Sequence, residues 1–291
     1  VTYQITLDPY DPEIVVKGKP LGRTRIIDSR SALYPFTAAE RVALRDVEHV
    51  RHIDILTQRI GSCTGNMMTG VLGTSPVFDA LPASHPVLDE HEAETLYSSA
   101  THLDPYPGAY PPTDTGSDGL SVMKAAQKFG MISGYLHALT LNDVLQALLT
   151  TAVGLGSDWY DSMDQPDSSG LVTISPSAVI RGGHEYEARR IDAGRQRVGC
   201  DQSWGESWGD AGSFWLSFDT LDRLLSAGGD CVVPVPLSSP APTPAPPEPD
   251  VDPVHKYVTD QRLIDWSNKR HARENAYAAG RFALLRAQVL D

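Results

Sequence analysis

Apolar residues in this chain change their spacing once, near residue 151, and that change limits the possible folds more than any other feature. Before it, three runs carry helical periodicity: residues 64–72, 118–130 and 141–151. The second begins at Asp118, ends at Gly130 and is expected to face inward through Leu120, Met123 and Phe129. After it, residues 152–159 read as extended, and short strand-like runs follow at 171–174, 185–191, 196–200 and 213–218. Helices first and strands afterwards predict an α+β architecture with a functional site between the two halves.

The ends of the chain differ from this middle. Residues 1–45 read as an extended N-terminal arm, with Thr37 and Glu40 at capping-box spacing predicting a short helix. Residues 46–237 form the main domain. Residues 238–253 hold seven prolines, too many for a helix or a sheet, and read as a semi-rigid spacer. Residues 254–291 contain no proline and carry seven Lys and Arg against four Asp and Glu. Leu263, Trp266, Phe282, Leu285 and Val289 give them a partial apolar stripe, so a C-terminal helix is expected. It either folds back on its own domain or docks into a partner protein or a second copy of the chain.

A net charge of −13 leaves no basic surplus to neutralise phosphates, which argues against nucleic acid and anionic membranes as partners. No run approaches the length of a membrane span, and Val1-Thr2-Tyr3-Gln4 does not resemble a signal peptide, so a cytoplasmic or virion-associated protein is expected. Cys63, Cys200 and Cys231 are too few for a disulfide framework, although one Cys200–Cys231 bridge stays open. His91, His102 and His137 lack ligand spacing, so neither a metal nor another cofactor is expected.

Three short runs carry chemistry. Ile60-Gly61-Ser62-Cys63-Thr64-Gly65-Asn66 turns directly into the first helix, so Cys63 sits where unpaired amides and the helix dipole favour a thiolate. Arg181-Gly182-Gly183-His184-Glu185 supplies an imidazole behind two glycines that permit close backbone approach. Gln202-Ser203-Trp204-Gly205 follows.

In this order the runs resemble the papain-like cysteine peptidases, including a bacterial and tailed-phage branch with Gly-Ser-Cys-Thr-Gly-Asn around the nucleophile. The likeness covers roughly residues 50–236 and implies a two-lobed fold with a helical first half and a β-rich second half. It implies Cys63 as nucleophile, His184 as general base, and Gln202 in the place of the usual orienting Asn. The oxyanion Gln of the family stands six residues before the nucleophile. Thr57 occupies that position here, and Gln58, one residue later, is the candidate donor. Trp159, Gly182, Gly183 and Trp204 are implied as substrate-binding.

Two functions follow as expectations. One is a cysteine peptidase or related amide hydrolase acting on peptides, cell-wall peptides included. The other is a papain-like module of weakened activity, built into a larger assembly such as a phage virion and anchored by its C-terminal helix. The Gln at 202 and the absence of a recognisable pro-segment speak for the second.

Overall fold

The structure is a computed structural model that describes residues 5–8, 19–38 and 41–242. The expected C-terminal helix at 254–291 and most of the proline spacer lie outside the described residues. Near the start, strands β1 (Ile5–Asp8) and β2 (Arg25–Asp28) pair antiparallel as a separate two-stranded sheet. The short β3 (Val47–Glu48) joins the main sheet through β6.

Of the capped helix expected from Thr37, residues 39 and 40 lie outside the described residues; residues 37–38 and 41–46 are irregular. Tertiary hydrogen bonding holds the chain at residue 42. The side chain of Gln146 accepts from Val42 N (3.0 Å) and donates to Val42 O (2.9 Å), holding that backbone in a non-helical course.

The helical lobe is built from α1 (Cys63–Leu72), α2 (Glu90–Thr101) and α3 (Gly119–Lys128). All ten residues of α1 are buried, as its apolar and small side chains on every face require. Asp89 caps α2 by accepting from His91 N and Glu92 N, and Asp118 caps α3 by accepting from Ser121 N. Met67, Met68, Val71, Leu96, Val122, Met123 and Ile132 form the core between these helices. Phe129, expected on the inner face of α3, sits at its C-terminal end and is 42% exposed.

The second lobe is one antiparallel sheet with α4 (Leu141–Leu148) and α5 (Phe218–Ser226) packed against it. Its strands are β4 (Gly134–His137), β5 (Val153–Tyr160), β6 (Ile180–Asp192), β7 (Arg197–Asp201), β8 (Ser213–Ser217) and β9 (Asp230–Val235). They lie in the order β4-β9-β5-β6-β7-β8, so β5 and β6 are central. β5 is buried along most of its length and β6 through its middle, His184–Ala188, and Leu155, Trp159, Tyr186, Phe214 and Leu216 fill the core beneath them.

The strand expected at 171–174 is reduced to a bridge from Leu171 to Trp215, because the Asp167 carboxylate accepts from Ser169 N and Leu171 N and holds a turn there. Cys63, Cys200 and Cys231 are all buried free thiols. Among the described residues no helix is long and apolar enough to cross a membrane.

Candidate active site

Three elements meet at the predicted residues: the N-terminus of α1, the first half of β6, and the turn after β7. Cys63 is the first residue of α1 and is fully buried. Its loop is fixed by side chains. Gly61 N donates to Asp114 Oδ2 (2.8 Å), and Asp114 Oδ1 accepts the Tyr97 hydroxyl. Ser62 Oγ donates to Asn66 Oδ1 (2.8 Å), and Asn66 Nδ2 donates to both carboxylate oxygens of Glu90 (2.9 and 3.0 Å). The motif reading missed Glu90, Tyr97 and Asp114. Glu90 and Tyr97 stand seven apart on α2, a same-face spacing that could have paired them.

His184 lies on β6 opposite Ser157 of β5 and is fully buried. Its Nε2–H donates to Gln202 Oε1. The extra methylene of Gln relative to Asn does not prevent this bond; Gln202 N is itself anchored on Gly212 O (2.8 Å). Trp204 stacks on the imidazole with ring centroids 4.9 Å apart, and Trp159 meets it edge-on at 5.4 Å. These rings keep water from the Nε2–amide bond. His184 Nδ1 is buried and has no hydrogen-bond partner.

Burial is also the main influence on both titrating groups. It holds His184 down at about 4, against a smaller upward effect of the Gln202 bond, so the ring is neutral at pH 7. It pushes the Cys63 thiol up, and the nearby Glu185 carboxylate adds to this. A hydrogen bond from the Glu185 backbone and the charge of Arg23 act the other way without prevailing. The helix N-terminus therefore does not yield the expected thiolate in this covered state.

Gln58 ties the loop before Cys63 to the turn that carries Gln202 and Ser203. Its backbone N donates to Ser203 O (2.9 Å), its Oε1 accepts the Ser203 hydroxyl, and its Nε2 donates to Ile60 O (2.9 Å). A groove of about 480 Å³ lined by Ile55, Leu56, Thr57, Arg59, Glu90 and His91 runs beside it. Asp201, next to Gln202, spends its carboxylate on Arg189, Arg190 and Ser213.

What covers the site is the chain's own residues 19–24. Lys19 Nζ donates to Trp204 O (3.2 Å), and Trp204 Nε1 donates to Pro20 O (3.0 Å). Leu21 is fully buried against Gly182, where an added Cβ would come within 3.0 Å of its Cδ1. Gly22 N and Arg23 N both donate to Gly183 O (3.3 and 3.0 Å). On the other side Ser117 N donates to Gly22 O (2.9 Å) and Thr24 N to Ser117 O (2.7 Å), a parallel bridge. The approach is close enough that a Cβ on Gly183 would lie 2.4 Å from Arg23 O.

Gly182, Gly183 and Trp204, predicted to bind substrate, thus all contact this strap. Trp159 is instead enclosed by His184, Tyr186, Trp204, Trp208 and Phe214, with its Nε1 donating to Asp164 Oδ1 (3.1 Å).

No protein-family model matches the chain, and no curated protein matches it. Solved structures do. The cysteine protease xylellain from Xylella fastidiosa aligns over 74% of this chain and 96% of its own, at 18% identity and a TM-score of 0.50. Digestive procathepsin L 3 from Tenebrio molitor larval midgut aligns over 69% and 73% at 12% identity, with a TM-score of 0.48. The order of helices and strands, and the alignment along nearly the whole of xylellain, establish that this chain has the papain-like cysteine-protease fold.

Proposed function

We propose that this protein is a cysteine-type peptidase or closely related amide hydrolase. One observation carries the reading: Gln202 and the two Trp rings fix His184 with its Nε2 proton engaged, leaving a buried, unpartnered Nδ1 beside a residue whose backbone bonds the Cys63 thiol.

In the reaction Cys63 Sγ attacks the scissile carbonyl carbon as His184 Nδ1 takes the thiol proton. The same nitrogen then protonates the departing amine, leaving an acyl-thioester. Water, deprotonated by His184, attacks the thioester, releases the acid and restores the thiol. The Cys63 backbone N–H and the second N–H of the Gln58 amide are the donors for the developing oxyanion. Trp159 supports the imidazole from within the core. Residues 19–24 must leave before a peptide enters, and the groove beside Gln58 receives the part of the substrate beyond the scissile bond.

The strap also weakens the argument drawn from a missing pro-segment, since these residues occupy the cleft as such a segment would. The alternative role in an assembly such as a virion rests on residues 254–291, outside the described residues. The test is a thiol-directed peptidyl epoxide together with a peptide-hydrolysis assay on the full chain. Labelling at Cys63, lost in His184→Ala, with hydrolysis lost in Cys63→Ala, is the expected result. A Cys63 that labels equally well without His184 would refute the pairing.

A further inference from the structure

The strap also buries Arg23, and its surroundings are more acidic than one arginine requires. The guanidinium is buried, with Nε 3.1 Å and Nη2 2.5 Å from Asp230 Oδ1, Nε 3.2 Å from Glu185 Oε1, and Nη2 3.1 Å from Gly228 O. Asp158 also acts on Arg23 and Asp118 acts on Glu185, so three carboxyl groups bear on the one guanidinium and a fourth bears on Glu185. Glu185 is fully buried and has no partner for its carboxylate beyond the ion pair with Arg23; Asp118 Oδ2 is buried and unpartnered, while its Oδ1 caps α3.

Such an excess is costly. Burial and the neighbouring Asp230 and Asp118 push Glu185 well above the usual carboxyl range, and burial raises Asp118 to about 7. An anchor for the strap would need one carboxylate, and surplus acids in low dielectric oppose folding.

The cluster is also shaped as a socket. Gly156 forms part of its wall: a Cβ there would lie 2.3 Å from Glu185 Oε1, 2.5 Å from Arg23 Nε and 2.6 Å from Asp230 Oδ1. The Asp230 side chain is 34% exposed, which leaves one edge open to solvent. Glu185 directly follows His184, and its backbone bonds the Cys63 thiol, so the socket adjoins both reacting groups. The strap, Lys19-Pro20-Leu21-Gly22-Arg23-Thr24, is itself basic, with two cations and no acid, on a chain of net charge −13.

We infer that the socket of Glu185, Asp230, Asp118 and Asp158 is a specificity pocket for a basic side chain of a peptide substrate, and that Arg23 is the internal stand-in that fills it until the strap leaves. This rests on the peptidase reading for its biological sense, but binding can be measured without catalysis. Displacement of the strap exposes the carboxyl groups, and an incoming arginine or lysine restores the charge pairing that Arg23 provided.

The experiment uses the full chain carrying Arg23→Ala, and fluorescent hexapeptides that differ only in one Arg, Lys, norleucine or Glu. Anisotropy should give the Arg and Lys peptides about tenfold or greater preference over norleucine, and the Glu peptide the weakest binding. Adding Asp230→Asn should shrink that preference. Equal binding of the Arg and norleucine peptides would overturn the inference.

As a second measurement, ethylguanidinium should raise the melting temperature of Arg23→Ala and not of the unaltered chain, whose socket is filled; if Arg23→Ala fails to fold, Arg23→Met takes its place in the peptide assay. Hydrolysis of the same peptides is scored separately. Arg preference without hydrolysis would sink the peptidase reading and leave the socket, while hydrolysis without Arg preference would do the reverse.

Discussion

His184 has two nitrogens in different surroundings, and the difference sets its chemistry. Nε2 is committed to Gln202, so the exchangeable position is Nδ1. The same burial that isolates the ring makes its protonation costly in the folded state. An unfolded His takes a proton near pH 6.5, while His184 resists until about 4. Its folded value is therefore depressed. The associated stability is fully present above pH 6.5 and is lost as pH falls towards 4. Acidification across that window should cost the wild-type protein on the order of 3 kcal/mol more than His184→Asn. Urea titrations of both proteins at several pH values measure this, and parallel pH profiles would contradict it.

At the scale of elements, the strap decides access to Cys63. Its seat depends on Gly22, where a Cβ would lie 2.0 Å from Gly61 O, a backbone atom that cannot swing aside. Gly22→Ala should lift the strap and raise the rate of Cys63 alkylation by iodoacetamide at least ~10-fold, since a loop that must open first slows the reagent in proportion to its closed population. Peptide mapping distinguishes Cys63 from the buried Cys200 and Cys231. Gly194→Ala is the control, because a Cβ there meets only the Asp192 side chain at 3.8 Å. An unchanged rate in Gly22→Ala would mean that the strap does not limit access.

Across the whole molecule, a buried charge network joins the lobes below the site. Arg51 pairs with Glu187 of β6 and lies 3.7 Å from Asp201 of β7. Thr74, just beyond α1, donates its hydroxyl to Glu187 Oε1 (2.5 Å), and Arg189 and Arg190 reach Asp201 at 2.5 and 3.0 Å. Removing one acid leaves Arg51 buried without its main partner. Glu187→Ala should destabilise the protein by about 3–5 kcal/mol. Chemical denaturation would show it, and a loss below about 1 kcal/mol would mean the network relaxes onto Asp201 alone.

The division into helical and strand-rich halves was legible because hydrophobic spacing is a local property. So was Cys63 at a helix start, since a Gly-Ser turn ahead of a small-residue run leaves few alternatives. The sequence by itself determined these elements, their order, and the chemistry-bearing residues that three motifs name. Tertiary structure decided whatever depends on backbone meeting backbone far along the chain. The bridge between Arg23 and Ser117 spans 94 residues and has no periodicity to betray it, so the strap was read only as an extended arm. The hold of Gln146 on the backbone of Val42, 104 residues away, is hidden in the same manner. Burial, too, exists only in the folded chain. It overrode the thiolate expected at the start of α1 and lowered His184, because the cost of charge depends on the water left around it, and folding alone gathered three carboxyl groups around Arg23.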